Sequence, residues 1–293
     1  MKVGFIGIGT MGSAMAKCIL DAGHELTVCD LQKSAAEGLL KAGAQWAEKP
    51  AQAAHASDVL FTSLPGPSQV QAVVLDRDTG VLAGLKRGSV YVDTSTNSPM
   101  VFRKIARECL DKGVEVLDAP VSRRPPELTM MVGGDKATFA RCEPVLKAIA
   151  KNLIYVGESG SGMIAKLMTQ YMGYTYQVAM AEAFIIAAKA GVDPAVLAKI
   201  VPISAGSGNA AGFMRTLLNR GLEPPAPRVG YNVIAKDMTL ACEVAQQFQA
   251  TASTGLMARD IFQRAEAQGM EYTAGIVTVL EQMAGFKLPA SRS

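Results

Sequence analysis

Histidine is scarce in this chain, with only His24 and His55 among its 293 residues. A Ser-His-Asp hydrolase or a histidine-rich metal centre would have to be built from these two, so the sequence argues against both. The five cysteines are odd in number and widely spaced, and no two form a C-x-x-C pair. This argues against a disulfide framework and a structural zinc site, and it favours a reduced, cytoplasmic compartment. No metal site is predicted.

Long apolar runs and runs of basic residues are also missing. No stretch reaches the ~18 apolar residues of a transmembrane helix, and three glycines interrupt the apolar segment that ends at Leu20, which argues against a signal peptide. The net charge is +3 and no Lys/Arg run occurs, so neither a nucleic-acid partner nor a membrane partner is expected. Hydrophobic residues make up 49% of the chain, enough for one large folded domain or two ordinary ones.

Short apolar runs alternate with amphipathic segments over residues 1–160. This alternation predicts a Rossmann-type α/β domain with a doubly wound, mostly parallel sheet, since parallel strands are buried on both faces. The predicted strands are Val3–Ile8, Glu25–Cys29, Val59–Leu64, Ser89–Asp93 and Val114–Leu117. The predicted helices are Met11–Ala22, Lys33–Ala42, Gln69–Leu75 and Pro99–Lys112.

The pattern becomes helical over residues 161–293. A long helix, Met163–Ala190, is predicted to join the α/β domain to an all-α domain that includes Leu256–Gln268 and Ile276–Met283. The Pro-rich segment Glu223–Arg228 is predicted to be an irregular connection. Apolar residues lie on more than one face of the long helix, which predicts a homodimer or homotetramer.

A glycine motif lies between the first predicted strand and the first helix, in the segment Gly7-Ile8-Gly9-Thr10-Met11-Gly12. In G-x-G-x-x-G the first glycine permits a tight turn, the second lets a pyrophosphate approach the backbone, and the third lets the helix pack on the strand. The helix N-terminus then offers free N–H groups to the phosphates. The motif predicts dinucleotide binding; the alternative is an ordinary glycine turn.

Asp30 ends the second predicted strand, close to the ~20-residue offset expected for a ribose-binding acid. A carboxylate there accepts hydrogen bonds from the ribose hydroxyls and repels a 2′-phosphate. NAD is therefore favoured over NADP, although Lys33 lies nearby.

Together with further motifs, these residues make the chain resemble the β-hydroxyacid dehydrogenases, which include 3-hydroxyisobutyrate dehydrogenase and tartronate semialdehyde reductase. This family is similar to 6-phosphogluconate dehydrogenase in its Rossmann domain. The resemblance spans nearly the whole chain. It is carried by five blocks: the motif that starts at Phe5, Asp93-Thr94-Ser95-Thr96, Asp118-Ala119-Pro120-Val121-Ser122 with Leu128–Gly134, Gly157-x-x-Gly160-x-Gly162-x-x-x-Lys166, and Lys236-Asp237.

The resemblance implies hydride transfer between NAD and the hydroxyl carbon of a small, acidic β-hydroxyacid, with Lys166 as general acid/base. An ammonium group can stabilise and protonate the oxyanion that hydride transfer creates; the alternative is a solvated surface lysine. The implied cofactor-binding residues are Gly7, Ile8, Gly9, Thr10, Met11, Gly12, Asp30, Leu64, Pro65, Thr96 and Lys236. The implied substrate-binding residues are Ser122, Arg123, Arg124 and Gln170, and for Ser122 and Thr96 the alternative is a turn-capping hydroxyl.

The chain departs from the family pattern at two places. The family has Ser-Gly-Gly and a longer loop, whereas here Ser122 is followed by Arg123-Arg124-Pro125-Pro126. Arginines in place of the glycines disfavour the positive φ that glycine adopts easily. The two arginines form either a fork for an acidic group or an exposed surface pair. Gln170 replaces a family asparagine one turn after Lys166, on the same helix face. Two other functions stay open, an imine reductase and a dinucleotide-binding sensor without turnover.

Overall fold

A computed structural model describes residues 1–204, 230–249, 251–270 and 274–287 of the chain. Contacts between residues divide the chain into two units, Met1–Lys166 and Leu167–Ser293. The predicted irregular connection Glu223–Arg228 lies outside the described residues.

The first unit is built on one sheet. Its strands are β1 (Lys2–Ile6), β2 (Glu25–Cys29), β3 (Gln45–Trp46), β4 (Val59–Thr62), β5 (Val90–Asp93), β6 (Glu115–Asp118), β7 (Val121–Ser122), β8 (Thr129–Gly134) and β9 (Asn152–Gly157). The order is β3-β2-β1-β4-β5-β6-β8-β7, and β9 pairs with β8. From β3 to β6 every pair is parallel, whereas β8 runs antiparallel to β6 and β7. The prediction of a mostly parallel, doubly wound sheet is confirmed.

The carboxyl ends of the central strands are aligned. Ile6 is level with Thr62, Thr62 with Asp93, and Asp93 with Asp118. The order of the strands reverses between β1 and β4, and ligands of doubly wound sheets bind beyond the carboxyl ends at such a switch point.

Alternate residues of each strand face opposite sides of the sheet. In β4, Val59 and Phe61 join the core cluster that includes Ile19, whereas Leu60 joins a second cluster that includes Phe102. Burial of a phenylalanine side chain contributes roughly 1.5–3 kcal/mol, and Phe61 and Phe102 are both fully buried. Both faces of the sheet are therefore covered, as the nearly all-apolar strands predict.

The helices of the first unit are α1 (Thr10–Asp21), α2 (Glu37–Lys41), α3 (Pro50–His55), α4 (Pro67–Leu75), α5 (Val81–Gly84), α6 (Pro99–Asp111) and α7 (Lys136–Ile149). Several predicted bounds are wrong by one to three residues; the strand predicted as Val59–Leu64, for example, ends at Thr62. The first strand ends at Ile6 rather than Ile8, because Gly7 has a φ of +91°. The predicted helix Lys33–Ala42 is a short 3₁₀ turn, Lys33–Ala36, followed by α2, and Ala36, at φ −94° and ψ −4°, lies at their junction.

The regular secondary structure of the second unit, in its described residues, is entirely helical. Its helices are the rest of α8 (Ser161–Lys189), which begins in the first unit, and α9 (Pro194–Ile200), α10 (Tyr231–Gln247), α11 (Ser253–Ala267) and α12 (Ala274–Ala284). One face of α8 enters the core through Tyr174, Val178, Ala181 and Ile185. These residues are spaced by three and four positions, as an amphipathic helix requires.

Sequence reasoning missed α10 and α7. The helical spacing of Tyr231, Ile234, Met238 and Ala241, all buried, is the signal that could have found α10. For α7 the signal is Asp135, whose carboxylate caps the helix by accepting a hydrogen bond from the Thr138 amide at 2.8 Å.

Candidate active site

Two of the three motif glycines are required by the fold itself. A Cβ on Gly7 would lie 2.3 Å from the Ser63 carbonyl oxygen, and its φ of +91° disfavours any other residue. A Cβ on Gly12 would lie 1.8 Å from the Gly7 carbonyl oxygen. These contacts hold the turn between β1 and α1 closely against the end of β4.

Gly9 is not required by the fold. Its φ of −70° and ψ of −167° suit any residue, and a Cβ built on it meets no atom within 4 Å. A glycine that neither backbone conformation nor packing explains leaves open space at the N-terminus of α1. This is the position at which the motif lets a pyrophosphate approach the backbone, so the turn fits a dinucleotide.

Asp30 follows β2 and lies against the glycine turn. Its Oδ2 accepts a hydrogen bond from the Ile8 amide at 2.7 Å, and its Oδ1 accepts one from the Gln32 amide at 2.9 Å. An ionised carboxylate can accept about four hydrogen bonds. Asp30 therefore keeps acceptor capacity on both oxygens for ribose hydroxyls.

The turns after β4 and β5 lie beside the glycine turn. The Leu64 amide donates to Ser95 Oγ at 2.9 Å, and the Leu64 side chain borders the space above Gly7. Thr96, half-buried, follows Ser95 directly. The structure thus brings together the predicted cofactor residues of four separate segments of the first unit, whereas Lys236 belongs to the second unit.

Asp93 organises the end of β5 from a fully buried position. Its carboxylate accepts hydrogen bonds from Thr62 Oγ1 at 3.0 Å, the Ser95 amide at 3.0 Å and Asn97 Nδ2 at 2.9 Å. Burial raises the pKa of Asp93, and these hydrogen bonds oppose the shift. Sequence reasoning quoted Asp93 only as part of a motif; here it fixes the turn that carries Thr96.

Asp118 fixes the start of α8. Its Oδ1 accepts a hydrogen bond from the Gly160 amide at 2.7 Å, and its Oδ2 accepts one from the Met163 amide at 2.8 Å. Gly133 and Gly162 leave the space that this carboxylate occupies. The end of β6 therefore holds the first turn of the helix that carries Lys166.

Replacing Asp118 with asparagine is expected to lower the free energy of unfolding by about 2 kcal/mol, because an amide group cannot accept both backbone hydrogen bonds. Burial, opposed by the bonds from Gly160 and Met163, raises the pKa of Asp118. A raised folded-state pKa means that this carboxyl contributes stability at low pH and loses it as pH rises through the folded pKa. The destabilisation of Asp118→Asn should therefore grow as the pH falls from 7 towards about 4, the ordinary pKa of an aspartate. Urea denaturation of both proteins at each pH measures this, and a cost that shrinks on acidification would contradict it.

Lys166 is buried, with only 6% of its surface exposed. It lies in the second turn of α8, four residues after Gly162. Lysine is rarely buried to this degree without a partner or a function. The alternative interpretation of Lys166 as a solvated surface lysine is wrong.

A polar cluster in the second unit contains two of the predicted site residues. Gln170 Nε2 donates to the Tyr174 hydroxyl at 2.6 Å and to Asp237 Oδ2 at 3.1 Å. The Lys236 ammonium lies 3.0 Å from Asp237 Oδ1. Gln170 and Lys236, predicted from separate motifs, are thus joined through Asp237. Sequence reasoning quoted Asp237 without a role and did not identify Tyr174.

Two family models match the chain. Residues 2–157 match the NAD binding domain of 6-phosphogluconate dehydrogenase, and residues 160–280 match the model described as NAD-binding of NADP-dependent 3-hydroxyisobutyrate dehydrogenase. The 3-hydroxyisobutyrate dehydrogenase of Pseudomonas aeruginosa is 34% identical, over 93% of this chain and 96% of the relative. The 2-hydroxy-3-oxopropionate reductase of Escherichia coli is 33% identical, over 98% and 100%.

The chain belongs to the β-hydroxyacid dehydrogenase family. Among solved structures, the 3-hydroxyisobutyrate dehydrogenase of Mycobacterium tuberculosis, with L-serine, matches at a TM-score of 0.82 and 29% identity, covering 94% of this chain and 98% of that one. The predicted family is confirmed, and members of this family are oxidoreductases that use a nicotinamide cofactor.

Imine reductases are more distant from this member of the family. The imine reductase of a Pseudomonas species matches at a TM-score of 0.60 and 20% identity, a similarity that concerns the fold alone. The hydroxyacid dehydrogenase interpretation is therefore the one that the relatives support.

The loop after Ser122 is where this β-hydroxyacid dehydrogenase departs from the family pattern. Ser122 pairs with Thr129 across β7 and β8. Arg123 nevertheless has a φ of +62°, the left-handed region expected of the family's glycine, at a cost of roughly 1–2 kcal/mol for a side chain with a Cβ. Arg123 and Arg124 are exposed, and no ion pair or hydrogen bond of either is found within the described ranges. A surface ion pair at 2.6 Å between Glu127 and Lys151 holds the far end of the loop.

A cavity of about 400 Å³ lies elsewhere in the first unit of this family member. It is lined by residues of α6, β6 and the start of α7, including Arg103, Arg107 and Glu115, and none of the predicted site residues lines it.

None of the helices in the described part of the chain has the length and apolar character of a membrane-spanning helix.

Proposed function

We propose that this chain is an NAD-dependent dehydrogenase that oxidises a small β-hydroxyacid or reduces the corresponding oxoacid. The observation that carries the proposal is Lys166, a buried lysine on a helix whose start is fixed by Asp118. The nicotinamide supplies the hydride acceptor or donor. A spectrophotometric screen of NAD reduction with small 3-hydroxyacids tests the proposal; NADH binding without turnover of any acid would favour the sensor function instead.

Lys166 acts as the general acid/base. In the oxidative direction its neutral amine takes the hydroxyl proton while the hydride leaves the same carbon. In the reductive direction its ammonium stabilises the developing alkoxide and returns the proton. Positioned acid/base catalysis of this kind contributes typically ~10²–10⁴ in rate.

Cofactor binding is assigned to the turns at the carboxyl ends of β1, β2, β4 and β5. The backbone of Gly7 to Gly12 faces the pyrophosphate, and Asp30 accepts the ribose hydroxyls. Leu64, Pro65 and Thr96 border the adenosine and nicotinamide, and Lys236 completes the site as the resemblance implies.

NAD rather than NADP is the proposed cofactor. The negative charge of Asp30 repels a 2′-phosphate, and both of its oxygens already accept backbone hydrogen bonds that keep it in place. The ammonium of Lys33, three residues after Asp30 in the chain, lies 3.7 Å from Glu48 and 5.4 Å from the centre of the Trp46 ring, so it already has an anionic and an aromatic neighbour.

Asp30→Asn is expected to raise the kcat/KM ratio of NADP to NAD by ~10–100-fold, because the repulsive charge is removed while an acceptor oxygen remains. The matched control is Asp58→Asn. Asp58 likewise accepts a backbone hydrogen bond, from Lys2 at 3.0 Å, but at the opposite end of β1. Initial rates with both cofactors measure the ratio, and an unchanged ratio in Asp30→Asn would reject the assignment.

The substrate is proposed to be acidic, held by Ser122, Arg123, Arg124 and Gln170. Guanidinium groups bind carboxylate, sulfonate or phosphate through two parallel hydrogen bonds, and the two arginines have no protein partner within the described residues that would compete. The left-handed backbone of Arg123 supports a role in the site, because strained residues concentrate where function requires them.

The double variant Arg123→Ala, Arg124→Ala is expected to raise KM ~10–100-fold for hydroxyacids with a second anionic group and to leave kcat nearly unchanged, because the lost interaction is made equally in ground and transition states. Steady-state kinetics with mono- and dianionic substrates measure the effect. Arg77→Ala, at another exposed arginine, in the loop after α4, serves as the control. An unchanged KM in the double variant would leave the arginines as surface residues.

Assembly as a homodimer or homotetramer and location in the cytoplasm stay predictions. Met172, 62% exposed on the long helix, supports the first.

A further inference from the structure

The side-chain amide of Gln170 has only one possible orientation in its surroundings. One end of the amide lies 2.6 Å from the Tyr174 hydroxyl and 3.1 Å from a carboxylate oxygen of Asp237. An ionised carboxylate accepts and cannot donate, so an amide oxygen at this distance would repel it with no proton between them. The end that faces Asp237 is therefore the NH₂ group, which donates one proton to each neighbour.

The two neighbours have further contacts of their own. Asp237 is 1% exposed, and the Lys236 ammonium compensates its charge at 3.0 Å. Burial and the negative charge of Asp237 raise the pKa of Tyr174, so its hydroxyl stays protonated and neutral. The ring of Tyr174 packs edge-on against Phe262, with 5.8 Å between ring centres. The Tyr174 hydroxyl and the Asp237 carboxylate thus accept both N–H groups of the Gln170 amide.

The consequence lies at the other end of the amide. Gln170 Oε1 has no hydrogen-bond partner among the described residues. It is also not one of the fully buried atoms without a partner, so it is open to an approaching molecule. A carbonyl oxygen is an acceptor only. Because Asp237 and Tyr174 occupy the donors, Gln170 offers an approaching molecule an acceptor that cannot turn into a donor.

We infer that Gln170 selects substrates by accepting a hydrogen bond from them, with Asp237 as the positioning residue that fixes its amide. The inference rests on the proposed function, in which Gln170 contacts the substrate. The preferred substrate class is a β-hydroxyacid that carries a second donor, a hydroxyl or an ammonium group. In a three-carbon acid, C1 is the carboxylate and C3 is the reacting carbon, so this donor stands on C2, the carbon beside the reacting one. An acid with a methyl group on that carbon cannot donate a hydrogen bond to Gln170 Oε1, so it leaves this oxygen unpaired and is disfavoured.

Glycerate and 3-hydroxyisobutyrate are a matched pair for the test, because they differ by a hydroxyl in place of a methyl group on that carbon. Wild-type protein with NAD is expected to show a kcat/KM at least ~10-fold higher for glycerate. In Gln170→Met, which keeps the length of the side chain and removes the acceptor, the ratio of the two kcat/KM values should fall to about one. In Asp237→Asn the amide can turn, so the ratio should also fall.

Tyr174→Phe is the matched control. It removes one neighbour but leaves the carboxylate that dictates the orientation, so the ratio should stay near the wild-type value. A readout independent of turnover is the ¹H–¹⁵N signal of the Gln170 side-chain amide. In the absence of substrate, the amide protons of wild type should exchange slowly with water. In Asp237→Asn, also without substrate, their exchange should be faster.

The outcomes separate the inference from the proposed function. If wild type oxidises none of the acids, the proposed function fails and the inference fails with it. If wild type is active but Gln170→Met leaves the ratio unchanged, or lowers both activities equally, only the inference is overturned. An amide signal that is equally protected in Asp237→Asn overturns the positioning role of Asp237, whatever the activities are.

Discussion

Lys166→Ala is expected to lower kcat by ~10²–10⁴-fold while NADH still binds with nearly wild-type affinity. The variant removes the group that moves the proton and leaves the glycine turn and Asp30 in place. Because Lys166 is 6% exposed, alanine also leaves a gap, so Lys166→Met is made beside it to keep the packing without the ammonium. Initial rates of NAD reduction and fluorescence titration with NADH measure the two properties.

Lys189→Ala is the control for this experiment, since Lys189 lies at the other end of the same helix and is exposed. Its Nζ donates to the Ala284 carbonyl at 2.9 Å, so small losses of stability are expected but no loss of rate. Lys166→Met with more than about a tenth of wild-type kcat would contradict acid/base catalysis by this residue, since that loss is below the range expected for it. The catalytic group would then have to be sought elsewhere in the chain.

Gly9→Val is expected to lose NADH affinity, whereas Gly12→Ala is expected to lose stability. Gly9→Val should weaken NADH binding at least ~10-fold with little change in stability. A Cβ at Gly9 meets no protein atom within 4 Å, and the side chain would occupy the space required by a pyrophosphate. Gly12→Ala should lower the free energy of unfolding by about 3 kcal/mol, because its Cβ would lie 1.8 Å from a backbone oxygen. Thermal unfolding and NADH titration of both variants separate the two effects.

Gly38→Ala provides the matched control, since Gly38 in α2 is also free of neighbours within 4 Å and lies outside the turn. It should bind NADH normally and gain up to ~1 kcal/mol of stability from the higher helix propensity of alanine. If Gly9→Val bound NADH as tightly as Gly38→Ala does, the glycine turn would be an ordinary turn and not a pyrophosphate site.

Much of the fold could be predicted because it depends on local patterns. Buried parallel strands read as short apolar runs, and the glycine motif marks the junction of β1 and α1. The family could be predicted for the same reason, since its motifs are short blocks. The predictions were weaker where local pattern and tertiary environment disagree: Lys33–Ala42 has a helical pattern, but its first turn is 3₁₀.

The candidate site could be predicted as a set of residues but not as an arrangement. Lys166 and Asp30 belong to recognisable motifs, yet no pattern told a buried lysine from a solvated one. Gln170 could be named as a substitution in the family pattern. Its contacts with Tyr174 and Asp237 were not predicted. Asp237, although quoted in a motif, is 67 residues away along the chain, and its contact with Gln170 has no sequence signature.

The sequence by itself determined the α/β and all-α composition of the two parts, the family, and the chemistry that a glycine turn and a lysine can supply. These follow from periodicity and from motifs in which neighbouring residues act together. Only the tertiary structure decided which motif glycine is left for a ligand, which carboxylate holds the start of α8, and which way the amide of Gln170 points. Those outcomes depend on atoms that meet from distant segments, where distance, burial and the donor or acceptor nature of each neighbour select one arrangement.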